Sequence, residues 1–389
     1  MNICIISPRY PYKDNMEFVF VKKLVDEWAN MGHRCVVITD FSWTVYLRKN
    51  IDFKPRYYRD EIAPNIFVDV YNPRCVTTRI GIKDYSFDSW ITSKIIGRQL
   101  KKLKFKIDFI YCHFIGSAVM TFPYAKKHQI PLFIASGESI IPNLPRPSFK
   151  FTWEDFRNYT KGVISVSSKN KKEATERGLI IADKCEVFPN GTDTSIFKPL
   201  NKQDCRTKLG FPQNLFIVVC VGFFCDRKGQ DRVLQAIRQI GDKNIKVVFL
   251  GKEAKLKPLF LEGEEILFKG SVYNSELPDY LNSADLFCLP TRAEGCCNAI
   301  IEALACGLPI VSSNLPFNWD VLDSSNSILV DPDNIDEIAS AIKTLKDDKE
   351  NRDWLAQGAI NRSNSLSIRK RAESILQFIQ GRISNNVSK

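Results

Sequence analysis

Short apolar strands alternate with helical patterns along this chain, and the alternation runs once, stops, and starts again. A helix that returns the chain to the same sheet edge forces parallel pairing, so the pattern selects doubly wound α/β sheets. In the first half, strands are expected at Asn2–Ser7, Arg34–Thr39, Phe109–Cys112, Leu132–Ala135, Gly162–Val166 and Lys184–Phe188. A helix from near Phe18 to Met31, stopped by Gly32, follows the first strand. In the second half they are expected at Phe216–Gly222, Lys246–Leu250, Glu265–Phe268, Leu286–Leu289, Ile310–Ser313 and Ser327–Leu329. The break carries Asn-Gly turn chemistry in Pro189-Asn190-Gly191-Thr192-Asp193, followed by the linker-like Phe197-Lys198-Pro199-Leu200. With 389 residues the chain exceeds what one core usually supports. The expected division is a domain of residues 1–192, a second of residues 193–366, and a terminal segment 367–389.

Composition narrows the function classes. With 44% hydrophobic and 25% charged residues, the chain reads as an ordinary soluble globular protein. Its longest apolar run, Leu215 to Cys225, is about half of a membrane span, and Met1-Asn2 leads directly into the first strand. A cytoplasmic protein is the expectation. The twelve cysteines are scattered without a Cys-x2-Cys pair, and the vicinal Cys296-Cys297 has no histidine nearby. Reduced, buried thiols and no metal site are therefore expected. The formal charge is +11. Cations gather at Arg48, Lys49, Lys54, Arg56 and Arg59, among Phe41, Trp43, Tyr46, Phe53, Tyr57 and Tyr58, and again at Arg98, Lys101, Lys102, Lys104 and Lys106. No nucleic-acid-binding motif accompanies them, so no nucleic-acid partner is expected. Peripheral contact with an anionic inner membrane face fits the charge, and a plain solvated basic face is the alternative.

The richest chemistry lies between Thr291 and Pro309. Glu294 precedes a helix start and Glu302 lies inside that helix, which Gly307 ends. Eight residues at helical rise span roughly 12 Å, about the length of a nucleotide sugar. The amides of Gly295, Cys296, Cys297 and Asn298 form the free helix end between the two acids, where phosphates bind well. A second strand-to-helix turn, Val221 to Gly229, contains Gly222, Phe223, Arg227 and Lys228. Cleaving a sugar–phosphate bond puts negative charge on the departing diphosphate, and two adjacent cations can meet it.

These segments resemble the Glu-x7-Glu signature of retaining glycosyltransferases of glycosyltransferase family 4, enzymes of GT-B fold. That fold sets two Rossmann-like doubly wound sheets facing each other across a cleft, with ligands at the strands' carboxyl ends. Further elements carry the resemblance in order. The family's hinge, Pro-Asn-Gly-x-Asp-x3-Phe-x-Pro, is matched at Pro189, Asn190, Gly191, Asp193, Phe197 and Pro199. Its Val-Gly to Lys-Gly loop is matched at Gly222 and Lys228, although Phe223 stands where an arginine is common, and Arg227 is expected to supply that charge. Residues Asp108 to His113 look like the strand end from which a histidine faces the donor sugar. The resemblance implies that Glu294 contacts donor sugar hydroxyls, Glu302 the ribose hydroxyls, and the amides of residues 295–298 the phosphates. The segment Phe268-Lys269-Gly270 would cradle the base without distinguishing UDP from GDP. The helix Ile368–Ile379 would cross back to the first domain.

Two loops depart from the family. Pro8 to Glu17 contains no glycine, and Ser136-Gly137-Glu138 replaces the common His-Gly pair. Both face the acceptor in the family, which makes Arg9, Lys13, Gly137 and Glu138 the acceptor-side candidates. His33 is expected to be structural and His128 a surface residue. The implied reaction is metal-independent, needs no cofactor, and passes sugar with retention from a nucleotide sugar to a saccharide or lipid-linked saccharide. A surface polysaccharide is the expected product, and an alanine at Glu294 is expected to abolish transfer with the fold intact. Competing readings are a sugar-nucleotide 2-epimerase on the same fold and a non-catalytic partner subunit. A nicotinamide dehydrogenase would need Gly-x-Gly-x-x-Gly after the first strand, and none is there.

Overall fold

A computed structural model describes residues 1–13, 17–40, 54–75, 81–82, 85–144, 147–148, 150–253 and 259–384. Arg48, Lys49, Phe41, Trp43, Tyr46 and Phe53 lie outside them. The chain forms two compact units, Met1–Phe188 with Arg371–Lys389, and Pro189–Lys370.

The first unit is built on an eight-stranded sheet. Its strands are β1 (Asn2–Ser7), β2 (Arg34–Thr39), β3 (Tyr57–Ala63), β4 (Ile66–Tyr71), β7 (Phe109–His113), β8 (Leu132–Ser136), β9 (Gly162–Ser165) and β10 (Cys185–Val187). The order is β10-β9-β8-β7-β1-β2-β4-β3, parallel except where β3 runs against β4. A separate short hairpin pairs β5 (Gly81–Ile82) with β6 (Tyr85–Ser86). Strands β7 and β8 are buried along their whole length, as helix-covered parallel strands must be. The order reverses between β1 and β7, so this switch point lies beside the ends Ser7 and His113.

Strands β3 and β4 were not anticipated from the sequence, which showed a basic-aromatic stretch there. Their pairing turns through Pro64 and Asn65, and Asn65 adopts a left-handed φ of 65°. Asparagine tolerates that conformation well, which makes the tight reversal possible.

Two long-range packing contacts join the last helix, Ile368–Ser384, to this unit. The buried Trp28 indole donates to the Ala372 carbonyl at 3.1 Å. Phe378 covers Gly162 so closely that a Cβ added there would lie 2.7 Å from the ring. His33 is structural, since its Nδ1 sits 3.1 Å from the N-terminal ammonium.

The second unit holds β11 (Phe216–Val221), β12 (Ile245–Leu250), β13 (Ile266–Gly270), β14 (Leu286–Leu289), β15 (Ile310–Ser313) and β16 (Ser327–Val330). They form an all-parallel sheet in the order β13-β12-β11-β14-β15-β16. This is the doubly wound arrangement in which the first strand sits centrally and the switch point falls between β11 and β14. Entry and exit of this unit are tied together: Thr192 donates to the Leu366 carbonyl at 2.9 Å and accepts from Ile368 at 2.8 Å. Gly191 beside them has no room for a side chain, because a Cβ would meet the Ile368 backbone at 2.9 Å.

Candidate active site

At the β11–β14 switch point, the loops following both strands bring opposite charges together. Lys228 follows β11, and Glu294 follows β14 four residues before the helix Asn298–Ala305. The Lys228 ammonium lies 2.6 Å from Glu294 Oε1, and an Arg227 guanidinium nitrogen lies 2.7 Å from the same oxygen. Thr291 donates its hydroxyl to it at 3.2 Å, and Arg227 also donates to the Ala293 carbonyl. All the contacts to the Glu294 carboxylate fall on Oε1. Among the described residues, Oε2 has no hydrogen-bond partner, which leaves its lone pairs for an incoming hydroxyl.

Burial and pairing oppose each other here. Burial alone would raise the Glu294 carboxyl, but Lys228 and Arg227 outweigh it and hold it below its ordinary value. For Lys228, burial works against the cation, while the Cys297 sulfur and Glu294 together raise it above its usual value. Burial also raises the Cys297 thiol, so at neutral pH that sulfur is uncharged and Glu294 is the ionic partner. The cluster of two cations and one carboxylate therefore carries a net positive charge.

The turn from Glu294 into the helix is fixed from the hinge. Asn190 donates its carboxamide to the Cys296 carbonyl at 3.1 Å and to Asn298 Oδ1 at 2.9 Å. Its backbone amide points at the Cys296 sulfur at 3.4 Å. Behind the cluster, Asn318 donates to Ser313, and the Ser313 hydroxyl donates to the Thr291 carbonyl. Sequence reasoning missed the positioning work of Thr291, Asn190, Ser313 and Asn318. The only sequence signal was the hinge motif around Asn190, which showed turn chemistry and nothing of its target.

The remaining donor-side candidates divide. Glu302 lies inside the helix, partly exposed, with Gly295 buried beside Glu294. Only the last part of the Glu294–Glu302 interval is helical, so helical rise does not set their separation. Gly222 follows β11, and its carbonyl and that of Phe223 accept from Gln230 at 3.3 Å each. Phe223 is half exposed. Lys269 pairs with Glu253 at 3.1 Å and with the Leu261 carbonyl, and does not join the Glu294 cluster.

In the first unit, His113 ends β7 and is buried among Phe18, Phe20 and Phe114, with ring centroids 4.5 to 6.3 Å away. Neither ring nitrogen has a hydrogen-bond partner among the described residues. Burial, aided by the Arg371 cation, pushes its pKa down to about 3, so the ring is neutral at pH 7. Phe114 follows it at a φ of 77°, a strained conformation for an aromatic residue that turns the chain from strand into helix. Glu138 is buried, accepting from the Ile115 amide at 3.0 Å and from Ser136 at 3.1 Å. It caps the helix Ile115–Lys127, and both its oxygens are engaged. Gly137 packs against Val166. Arg9 pairs with Glu17, and Lys13 is exposed beside the Tyr12 ring.

Comparison with known proteins follows the two units. Residues 18–196 match the family described as Glycosyltransferase Family 4, and residues 201–362 match Glycosyl transferases group 1. The chain is 27% identical over 352 residues to a Bacillus subtilis glycosyltransferase provisionally assigned to teichuronic acid biosynthesis, covering 88% of each. It is 24% identical over 269 residues to an Escherichia coli enzyme named as a UDP-Gal:α-D-GlcNAc-diphosphoundecaprenol α-1,3-galactosyltransferase, covering 64% of this chain and 68% of that one. Among solved structures, sucrose-phosphate synthase from Thermosynechococcus elongatus superposes with a TM-score of 0.76 at 16% identity, covering 99% and 100% of the two chains. Anabaena HepE, solved in complex with UDP, gives 0.71 at 16% identity, covering 98% and 100%. The two family matches and the shared fold make this chain a GT-B glycosyltransferase of the group 1, family 4-like kind.

Proposed function

We propose that the chain moves a sugar from a UDP- or GDP-sugar to a hydroxyl of a saccharide or lipid-linked saccharide, retaining the anomeric configuration and requiring no metal. The observation that carries this reading is the Glu294 cluster at the switch point of the second unit. Its net positive charge can take a diphosphate, which gains negative charge as the glycosidic bond breaks. Lys228 spends one of its three donors on Glu294, and Arg227 keeps further N–H groups for phosphate oxygens. Glu294 Oε2 would accept a donor sugar hydroxyl, and Glu302 would accept the ribose hydroxyls. The departing phosphate would take the acceptor's proton, with His113 offering a neutral imidazole to the acceptor side.

The named activities of the relatives support a product in bacterial surface glycan synthesis, through teichuronic acid in one case and a diphosphoundecaprenol-linked acceptor in the other. No helix among the described residues is long and apolar enough to cross a membrane. A screen of UDP-, GDP-, ADP- and dTDP-sugars by thermal shift and donor hydrolysis, with and without EDTA, tests the reading. A UDP- or GDP-sugar is expected to stabilise the protein, with turnover unaffected by EDTA and an anomer retained by NMR. Binding to none of them, or a strict divalent-cation requirement, overturns it.

A further inference from the structure

The second unit carries a cavity of about 510 Å³ at the end of its sheet opposite Glu294. Leu215 and Phe216 lead into β11 there, Asn244 precedes β12, and Asp285 precedes β14. The Glu294 cluster follows the other ends of β11 and β14, and six residues of strand separate the two places by roughly 20 Å. Asp285 is the one acid among the lining residues, and both its oxygens are taken. Lys202 lies 2.7 Å from Oδ1, while Arg206 and the Ile217 amide reach Oδ2 at 2.7 and 2.8 Å. Arg206 is buried and donates further to the Ser283, Gln213 and Leu215 carbonyls, so it braces the wall. Lys346 is paired with Asp242 at 2.7 Å. Arg352, on the helix Lys349–Ser363, is pinned through Nη1 to the Leu345 and Lys346 carbonyls at 2.5 and 3.1 Å. Among the described residues it pairs with no carboxylate, and its Nε and Nη2 have no hydrogen-bond partner.

The rest of the wall is polar and uncharged. Gln203, Gln213, Asn214 and Asn244 are exposed there, and the carboxamides of Gln203 and Asn214 have no hydrogen-bond partner among the described residues. A carboxamide both donates and accepts, which matches a sugar hydroxyl that does the same. The open edge of the Arg352 guanidinium fits a phosphate or carboxylate, and Lys202 keeps two N–H groups beyond the one on Asp285. Apolar lining is limited to Leu215 and to Phe216, whose ring lies 5.6 Å beneath the Arg352 guanidinium. The volume is in the range of small-molecule sites. We infer that this cavity binds an anionic monosaccharide, with its acid group on Arg352 and Lys202 and its hydroxyls on the carboxamides. The cavity shares no residue with the Glu294 cluster, so the inference does not depend on the transfer reading.

The test is calorimetric titration of the full chain with glucose 6-phosphate, glucuronate, glucose and inorganic phosphate. Saturable binding of glucose 6-phosphate or glucuronate is expected, and the tighter of the two names the acid group. That affinity should exceed those for glucose and inorganic phosphate by at least about tenfold. Arg352→Gln is expected to weaken it about tenfold or more, through loss of a charged donor. Circular dichroism and donor hydrolysis of this variant should match those of the parent. Asn214→Ala should weaken binding of the acidic sugar and leave inorganic phosphate unchanged. Lys228→Met, at the opposite end of the sheet, should bind the acidic sugar as the parent does. Failure of both acidic sugars to bind, or undiminished binding by Arg352→Gln, overturns the inference. Loss of binding in Lys228→Met also overturns it, in favour of the Glu294 cluster. Inorganic phosphate binding as tightly as the acidic sugar overturns it in favour of a bare anion site.

Discussion

Lys228 meets Glu294 at 2.6 Å in a setting where each is about nine-tenths buried. Neither charge is tolerated there alone. From sequence, Glu294 looked replaceable without structural cost, but its burial with Lys228 and Arg227 argues otherwise. Glu294→Ala leaves a buried ammonium unpaired, an arrangement that typically costs about 3 kcal/mol. Urea denaturation should show that loss, and donor hydrolysis should fall by at least about a hundredfold. A variant with parental stability would show that the pair is not structurally coupled.

The same pair sets a pH window for stability. Glu294 is held below its reference value of 4.5, so its contribution is fully present above 4.5 and disappears as pH falls through the lower folded value. Lys228 is held above 10.5, so its contribution is fully present below 10.5 and disappears as pH rises through the higher folded value. The stability difference between parent and Lys228→Met, measured by denaturant midpoint, should therefore stay flat between those limits.

His113 adds to the loss on the acid side. Its pKa falls from 6.5 to about 3 on folding, so below 6.5 the unfolded chain takes up a proton that the folded chain refuses. Stability should decline as pH drops from 6.5 toward 3. His113→Gln should remove that part of the decline, read as a shrinking gap between the two melting curves.

Gly162 is a packing constraint. A methyl group there would overlap the Phe378 ring, and overpacking of this kind costs roughly 1–3 kcal/mol. Gly162→Ala should lower the melting temperature, and Phe378→Leu in the same chain should restore part of it. Failure of that rescue would place the strain elsewhere.

Asn190→Ala removes two hydrogen bonds that hold the Cys296–Asn298 turn. With each worth about 1 kcal/mol, the turn loosens rather than unfolds. Donor KM should rise several-fold with a smaller change in kcat.

Most of the doubly wound architecture could be read because parallel strands covered on both faces are continuous apolar runs, such as Phe216–Val221. The edge hairpin β3–β4 could not, since half-buried strands such as Tyr57–Ala63 mix charged and aromatic residues and resemble a surface patch. In the candidate site, Glu294, Lys228 and Arg227 stood out as charges in apolar surroundings. Thr291, Ser313 and Asn318 did not, because short polar side chains suit turns equally well and only tertiary folding reveals their partners. The engagement of Glu138 was hidden for the same reason: its main donor, the Ile115 amide, lies twenty-three residues away.

Eleven of the twelve cysteines are buried, and only Cys225 is partly exposed. It sits in the turn between Gly222 and Lys228, so a thiol reagent reaches the native protein at one place. A fluorophore attached there would sit on the loop assigned to the donor diphosphate. The protein thus carries a ready-made single labelling point, through which donor arrival could be followed in real time without removing any other cysteine.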